Sequence, residues 1–561
     1  DDKERIFYNF KIGADYYVND FLTISSQLKA DHHNNKSTTN QYFINPEDLN
    51  DTLFTETSIE KDNQDSPNLD LEYLFVIDRE YKQPDKALSF SVNIHQGDDA
   101  EDAILEDGED KITSFDAQHS ALDIDFLYKY PLSETSKIEV GYDGRVIDNS
   151  NTMSFLGSVL FDLDDLLYEN INNEFLFKRN LHGLFLEFET DISAGSYYTQ
   201  TNTEYGIKFK ENKRVLTIQP SLRIEKFDRN VMFNTNFPDG TNIDDSIFDD
   251  LFNNASGQSY DLDTLEIYPY LNMTYNIAKN KNIQFGFGRR VERPGAAAHG
   301  SWQVMPFPTN VYNEQFIFVG EPYLQPEYSN QYDLNYSRPI PMGFASLSLF
   351  YHDIENKIEW YDDDSYGEIG DVLTFKNVDE AQSTGISFFG MIMGQSLGGS
   401  YTHTTQNDND SPNDYELNES SEMFNLFGKI RLPEKYIKVF DFEFGFYWMK
   451  MILPSGEMWG NNGTTWADLG ISKKFMADRL TASFTIDNIF DNGGFQMKRT
   501  KPVATNSYAY AEEISDVFNT RNGRTFKFTL KFDLGKKSDG RKKKFDKGHS
   551  HEGGGGMDMG Y

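Results

Sequence analysis

The stretch that decides the fold runs from Lys281 to Trp360. It opens with KNIQFGFGRRVERP (281–294) and crosses a polar, aromatic segment containing Met305, Pro306 and Phe307. It then reaches GEPYLQPEYSNQYDLNYSR (320–338) and FASLSLFY (344–351). In the last of these, Ala345, Leu347, Leu349 and Tyr351 alternate with Phe344, Ser346, Ser348 and Phe350. A period of two places each set on its own face of a sheet. One face is apolar and the other mostly small and polar, and the pattern recurs along the chain.

In Lys438–Lys450, Phe440, Phe442, Phe444, Phe446 and Trp448 oppose Asp441, Glu443, Gly445 and Tyr447. Leu122–Tyr130 and Leu88–Ile94 alternate in the same way, as does Thr525–Leu534, where Phe526, Phe528, Leu530, Phe532 and Leu534 oppose Lys527, Thr529, Lys531 and Asp533. A soluble sandwich also buries one face of each strand. Here, however, no second layer of strands or helices is left to cover so much apolar surface. A closed barrel in a bilayer needs no such layer, and closure removes the unpaired edges that lipid cannot solvate.

Composition agrees. No run approaches 18 apolar residues and mean hydropathy is −0.62, which excludes transmembrane helices. Membrane strands expose only alternate residues to lipid and need no such run. The 46 Phe and 32 Tyr suit the aromatic girdles of outer-membrane barrels. Cysteine is absent, so disulfides and thiolate metal sites are excluded. A net charge of −38 argues against nucleic acid as a partner.

Strand boundaries follow a rhythm of strand, short turn, strand, long acidic loop. Outer-membrane barrels pair short periplasmic turns with long extracellular loops. That assignment puts Ala278–Lys281, Pro339–Gly343, Leu432–Tyr436 and Met476–Arg479 in the periplasm. Asp98–Asp110, Asp228–Asp261, Pro294–Pro326, Tyr361–Asp371, Gln406–Glu416 and Asp491–Asn522 become outer loops, as does a polar stretch after Asp31. Between Ile171 and Arg214 the sequence allows one long strand or three short ones, giving about 19 or about 21 strands in total. The expected fold class is therefore all-β, a transmembrane antiparallel β-barrel over residues 1–534. Residues 535–561, basic and then Gly-rich, read as a disordered periplasmic tail.

The order RRVERP, MPF, GEPYLQPEYSNQYDLNYSR resembles the shared core of TonB-dependent-receptor-like outer-membrane barrels of Bacteroidota. Asn377 to Gly385 and LTASFTIDNIF (480–490) are similar to later parts of the same pattern. Glu321 stands where that family usually has Asn. The resemblance implies a 22-stranded barrel, of which one or three strands and the plug would precede Asp1. It further implies ligand uptake through the lumen, a TonB-type energising partner acting on the plug, and contact with membrane lipids and lipopolysaccharide. Two alternatives remain: a structural or assembly component of a multiprotein outer-membrane complex, with lipoprotein or other partners, and a passive porin.

Candidate sites carry two readings each. Arg289, Arg290 and Arg293 at a strand's outer end could grip an anionic ligand bidentately, or pair with loop carboxylates. Trp302, Phe307 and Tyr312 could stack on a sugar or siderophore ring, or form a core beneath their own loop. For metals, Asp98, Asp99, Asp102, Asp408 and Asp410 supply hard oxygen ligands suited to Ca²⁺ on the acidic outer loops, although none follows EF-hand spacing. The bland alternative is a solvated charged face. His549, His551, Met557 and Met559 could take copper or nickel, or belong to a plain tail. The ten His are scattered, no catalytic or cofactor motif appears, and an enzyme is not expected.

Overall fold

A computed structural model describes residues 2–532 apart from 45–56, 108, 157–170, 204–205, 237–256, 295–302, 306–316, 363–371, 408–419, 434–438, 454–455, 459–462, 477–478, 491–494, 505–509 and 520–523. Among the described residues no helix is long and apolar enough to cross a membrane. Strands do all the work. In order they are β1 (Asp2–Asn19), β2 (Leu22–Ile44), β3 (Thr57–Glu80), β4 (Ala87–Asp107), β5 (Glu109–Pro131) and β6 (Ser136–Leu156). Next come β7 (Ile171–Thr203), β8 (Gly206–Asn236), β9 (Ser259–Ala278), β10 (Lys281–Glu292), β11 (Ile317–Phe318) and β12 (Glu327–Ile340). Then follow β13 (Gly343–Asp362), β14 (Val372–Ile392), β15 (Gln395–Asn407), β16 (Ser420–Leu432), β17 (Asp441–Leu453) and β18 (Gly456–Met458). The last are β19 (Thr464–Phe475), β20 (Leu480–Asp487), β21 (Phe495–Ala504), β22 (Tyr510–Asn519) and β23 (Thr525–Phe532).

Among the described residues nineteen antiparallel strands form the wall of a β-barrel, each paired with its sequence neighbour in the wall. The four remaining strands lie off that path. β11 pairs in parallel with β14, while β18, β21 and β22 build a hairpin extension above β17. Among the described residues no pairing joins β1 to β23. The wall therefore holds the lower of the two strand totals expected from sequence, and Ile171–Arg214 resolves into β7 and the start of β8.

The alternation does what the sequence implies. Leu347, Leu349 and Tyr351 are exposed on the outer face of β13, as are Ile386 and Phe388 on β14. The inner face is polar and cross-linked between strands. Lys129 reaches Glu139 at 2.8 Å, Lys137 reaches Glu189 at 3.1 Å, and Arg431 reaches Glu443 at 2.6 Å. At one end the strands turn tightly. In the Met393–Gly394 turn both residues have positive φ (52° and 84°), the mirror-image turn that matches strand twist.

Two expectations need correction. The acidic loops are in large part strand: β4 runs to Asp107 and β5 starts at Glu109, so Asp98–Asp110 is a hairpin standing above the wall. β2 and β3 likewise run to Ile44 and from Thr57, and Asp491–Asn522 holds β21 and β22. Outside a bilayer a strand needs no apolar face, so the alternation fades while the hydrogen-bond ladder continues. Conversely, one hairpin breaks the short-turn pattern. β7 outruns its partner β6 beyond Thr190, and β8 outruns β9 before Val215, so residues 191–203 and 206–214 project from the tight-turn end. The proposed tail, 535–561, lies outside the described residues.

Candidate functional site

The site is built on the inner face of β6–β9 at the end carrying the long hairpins. In β8 the inner residues are Arg223, Glu225, Phe227, Arg229, Val231 and Phe233, taken alternately. β7 presents Phe175, Phe177 and Arg179 beside them. Phe175, Phe177, Phe227, Val231 and Phe233 are fully buried, which is unexpected for a face lining a wet lumen. Residues 303–305 and 319–326, between β10 and β12, lie against this end of the wall. Val304, Met305 and Leu324 are themselves 0%, 3% and 1% exposed. Arg229 Nη2 donates to the carbonyl oxygens of Pro322 (3.0 Å) and Leu324 (3.2 Å), and Tyr323 packs edge-on against Tyr260 of β9.

The GEPYLQPE turn is held from several sides. Gly320 N donates to Met305 O and Glu321 N to Gln303 O, tying the two limbs of the segment together. The Glu321 carboxylate accepts from Tyr323 N at 2.8 Å. Asn377 of β14 grips Gln325 twice: its Oδ1 accepts from Gln325 N (2.8 Å) and its Nδ2 donates to Gln325 O (3.0 Å). Glu327 Oε2 accepts from Ile358 N at 3.0 Å. The turn packs Pro322, Leu324 and Pro326 inward, so its backbone groups need partners, and these side chains supply them.

Arg293 is the hub. It is largely buried, pairs with Glu225, donates to Tyr268 Oη at 3.2 Å, and lies 4.8 Å over the Phe227 ring. Glu225 also takes Arg223, whose Nη2 binds both oxygens of Asp143 at 2.5 and 2.6 Å. Arg229 keeps two guanidinium nitrogens, Nε and Nη1, buried without a hydrogen-bond partner.

The three sequence-flagged arginines do not act together. Arg289 turns to Glu355 (3.2 Å) and the face of Tyr328, whereas Arg290 is exposed on the other side of β10. Arg293 alone enters the buried network. The carboxylates that pair with Arg289 and Arg293 come from strands rather than loops. Trp302, Phe307 and Tyr312 lie outside the described residues, as do Asp408 and Asp410. Asp98 and Asp102 share one face of β4 and Asp99 takes the other, so the three do not converge. Sequence reasoning missed Arg223, Glu225, Arg229 and Asn377 as site residues. The alternation in β8 beyond Glu225 was the available signal.

Residues 198–532, more than half of the chain, match the model of the outer membrane protein beta-barrel family. The chain belongs to that family. As a family member it spans a bacterial outer membrane. No curated protein sequence matches it. Similar solved structures include the ferric yersiniabactin uptake receptor FyuA from Yersinia pestis, with TM-score 0.53 and 10% identity over 95% of this chain and 79% of that one. The FrpB iron transporter from Neisseria meningitidis gives TM-score 0.51 and 10% identity, covering 94% and 72%. FpvA of P. aeruginosa, bound to heterologous pyoverdines, gives 0.54 and 13%, covering 95% of this chain and 65% of FpvA. At such identities the likeness is one of fold.

Proposed function

We propose that this family member is an outer-membrane receptor that captures an anionic ligand at the mouth bearing the long hairpins and passes it through the lumen. The observation that carries the reading is the packed segment around Val304, Met305 and Leu324, clasped by Arg229 over a buried arginine network centred on Arg293. Long ordered segments on a rigid scaffold are where recognition concentrates. Guanidinium groups held by carboxylates can exchange those partners for a ligand's carboxylate or catecholate oxygens. The names of FyuA, FrpB and FpvA make ferric chelates the first ligand class to test. In this reading the long hairpins are extracellular, the tail is periplasmic, and a plug moved by a TonB-type partner opens the path.

The test is uptake of radiolabelled iron from a panel of anionic ferric chelates, in cells with and without the chain. Chain-dependent uptake that falls at least tenfold in R293E, with the barrel still heat-modifiable, supports the reading. No chain-dependent uptake of any chelate contradicts it. A second reading, a component of a multiprotein outer-membrane complex, is favoured by the projecting hairpin strands at residues 191–203 and 206–214, whose Tyr198 is 66% exposed. A stable stoichiometric partner lost on shortening that hairpin would support it.

A further inference from the structure

Outside the capped patch, the inner wall at β3–β5 brings together three side chains that no local motif connects. Asp70 of β3, Gly97 of β4 and His119 of β5 stand in one register row across the three strands. His95 lies two residues from Gly97 on the same face. A Cβ on Gly97 would collide with both Asp70 Oδ1 and the His119 ring, so the absent side chain is what lets the two reach each other. Asp70 Oδ1 lies 3.2 Å from His119 Nε2 and 3.3 Å from His95 Nε2. The three ligand atoms all fall within 4.8 Å of one another, and among the described residues this is the metal-compatible group.

We propose that Asp70, His95 and His119 form a divalent metal site with the character of a zinc site. Two ligands each about 2.0–2.1 Å from a tetrahedral zinc stand about 3.3–3.4 Å apart, which both Asp70–His separations match. The donor set, two imidazoles and one carboxylate, suits a borderline ion such as Zn²⁺ better than Ca²⁺, which seeks six or more oxygens. The surrounding shell is also in place. His119 Nδ1 faces Asp99 Oδ2 at 3.6 Å, and Asn68 Nδ2 donates to the other oxygen of Asp99. A carboxylate behind an imidazole fixes which ring nitrogen carries the proton and leaves the far nitrogen for the metal. Asp99 is thus a positioning residue, and the remaining coordination place is open to lumenal water or an incoming donor. Asp70, His95 and Asp99 are 26%, 32% and 24% exposed, so an ion can reach them from the lumen.

The inference rests on the wall's own side chains and not on the uptake reading. Its test is Zn²⁺ titration of the full chain in detergent by calorimetry, with Co²⁺ absorption reporting geometry. All arms carry H549A and H551A so that tail imidazoles take no metal. One Zn²⁺ per chain and an intense tetrahedral Co²⁺ spectrum are expected. D70N, H95A and H119A should each weaken binding about 100-fold or more, and D99N about 10–100-fold with stoichiometry kept. Heat-modifiable migration confirms folding of each variant. If H119A does not fold, H95A, at the exposed rim of the cluster, carries the test. Affinity unchanged in D70N and H95A, or no zinc bound by the parent, overturns the site and leaves an Asp–His ion pair.

Discussion

Two patches of the same inner face have been put to opposite use. At β6–β9 the wall is capped by the 303–305 and 319–326 limbs, and Arg293 and Glu225 are held at 11% and 7% exposure. At β3–β5 nothing described covers the wall, and Asp70 and His95 stay partly in water. Both patches obey the same alternation and both use charged residues reaching across strands. The difference lies in what packs on top. A covering segment removes water and makes every unpaired charge costly, whereas an open wall tolerates unbalanced groups and leaves them free to bind.

The largest expected effect is at the capped patch. E225A takes away the carboxylate partner of the buried Arg293, while Arg223 keeps Asp143, and should destabilise the barrel by about 3–5 kcal/mol, measured by urea unfolding in detergent micelles. A loss under about 1 kcal/mol would mean the patch is wet and the contrast false. Next comes the outer face. L349R should cost about 2–4 kcal/mol in a bilayer, while S348R, one residue along and facing the lumen, should cost far less. Equal costs would undo the assignment of faces. The smallest effect is at the open patch: without metal, D70N should change stability by no more than about 1 kcal/mol, because water replaces the lost partner of each imidazole. A change as large as that of E225A would place Asp70 in a buried network instead.

The wall was legible in the sequence because lipid enforces period two, and Leu347, Leu349 and Tyr351 display it without help from neighbours. The height of the hairpins was not. Asp98 to Asp107 reads as loop because no apolar face is demanded there, yet Ala103 pairs with Thr113 and Ile104 with Ile112 as regularly as any lower pair. Arg293 stood out through its local spacing, whereas its partner Glu225 is 68 positions away and gave no local signal. The turn at Gly320–Glu327 and Asn377 were both recognisable, but only the register between them shows that one grips the other. For Asp70, His95 and His119, three scattered residues become one cluster solely because β3, β4 and β5 align them.

Capture at the hairpin-bearing mouth requires that this mouth face outward, and the chain's lack of cysteine makes that directly measurable. Single cysteines at Tyr323, 65% exposed in the capping segment, and at Met342, 68% exposed in a tight turn, place one probe at each end. With a membrane-impermeant maleimide on intact cells, Tyr323→Cys should label and Met342→Cys should label only after the outer membrane is opened. Labelling of Met342→Cys but not Tyr323→Cys on intact cells would invert the barrel and contradict the account.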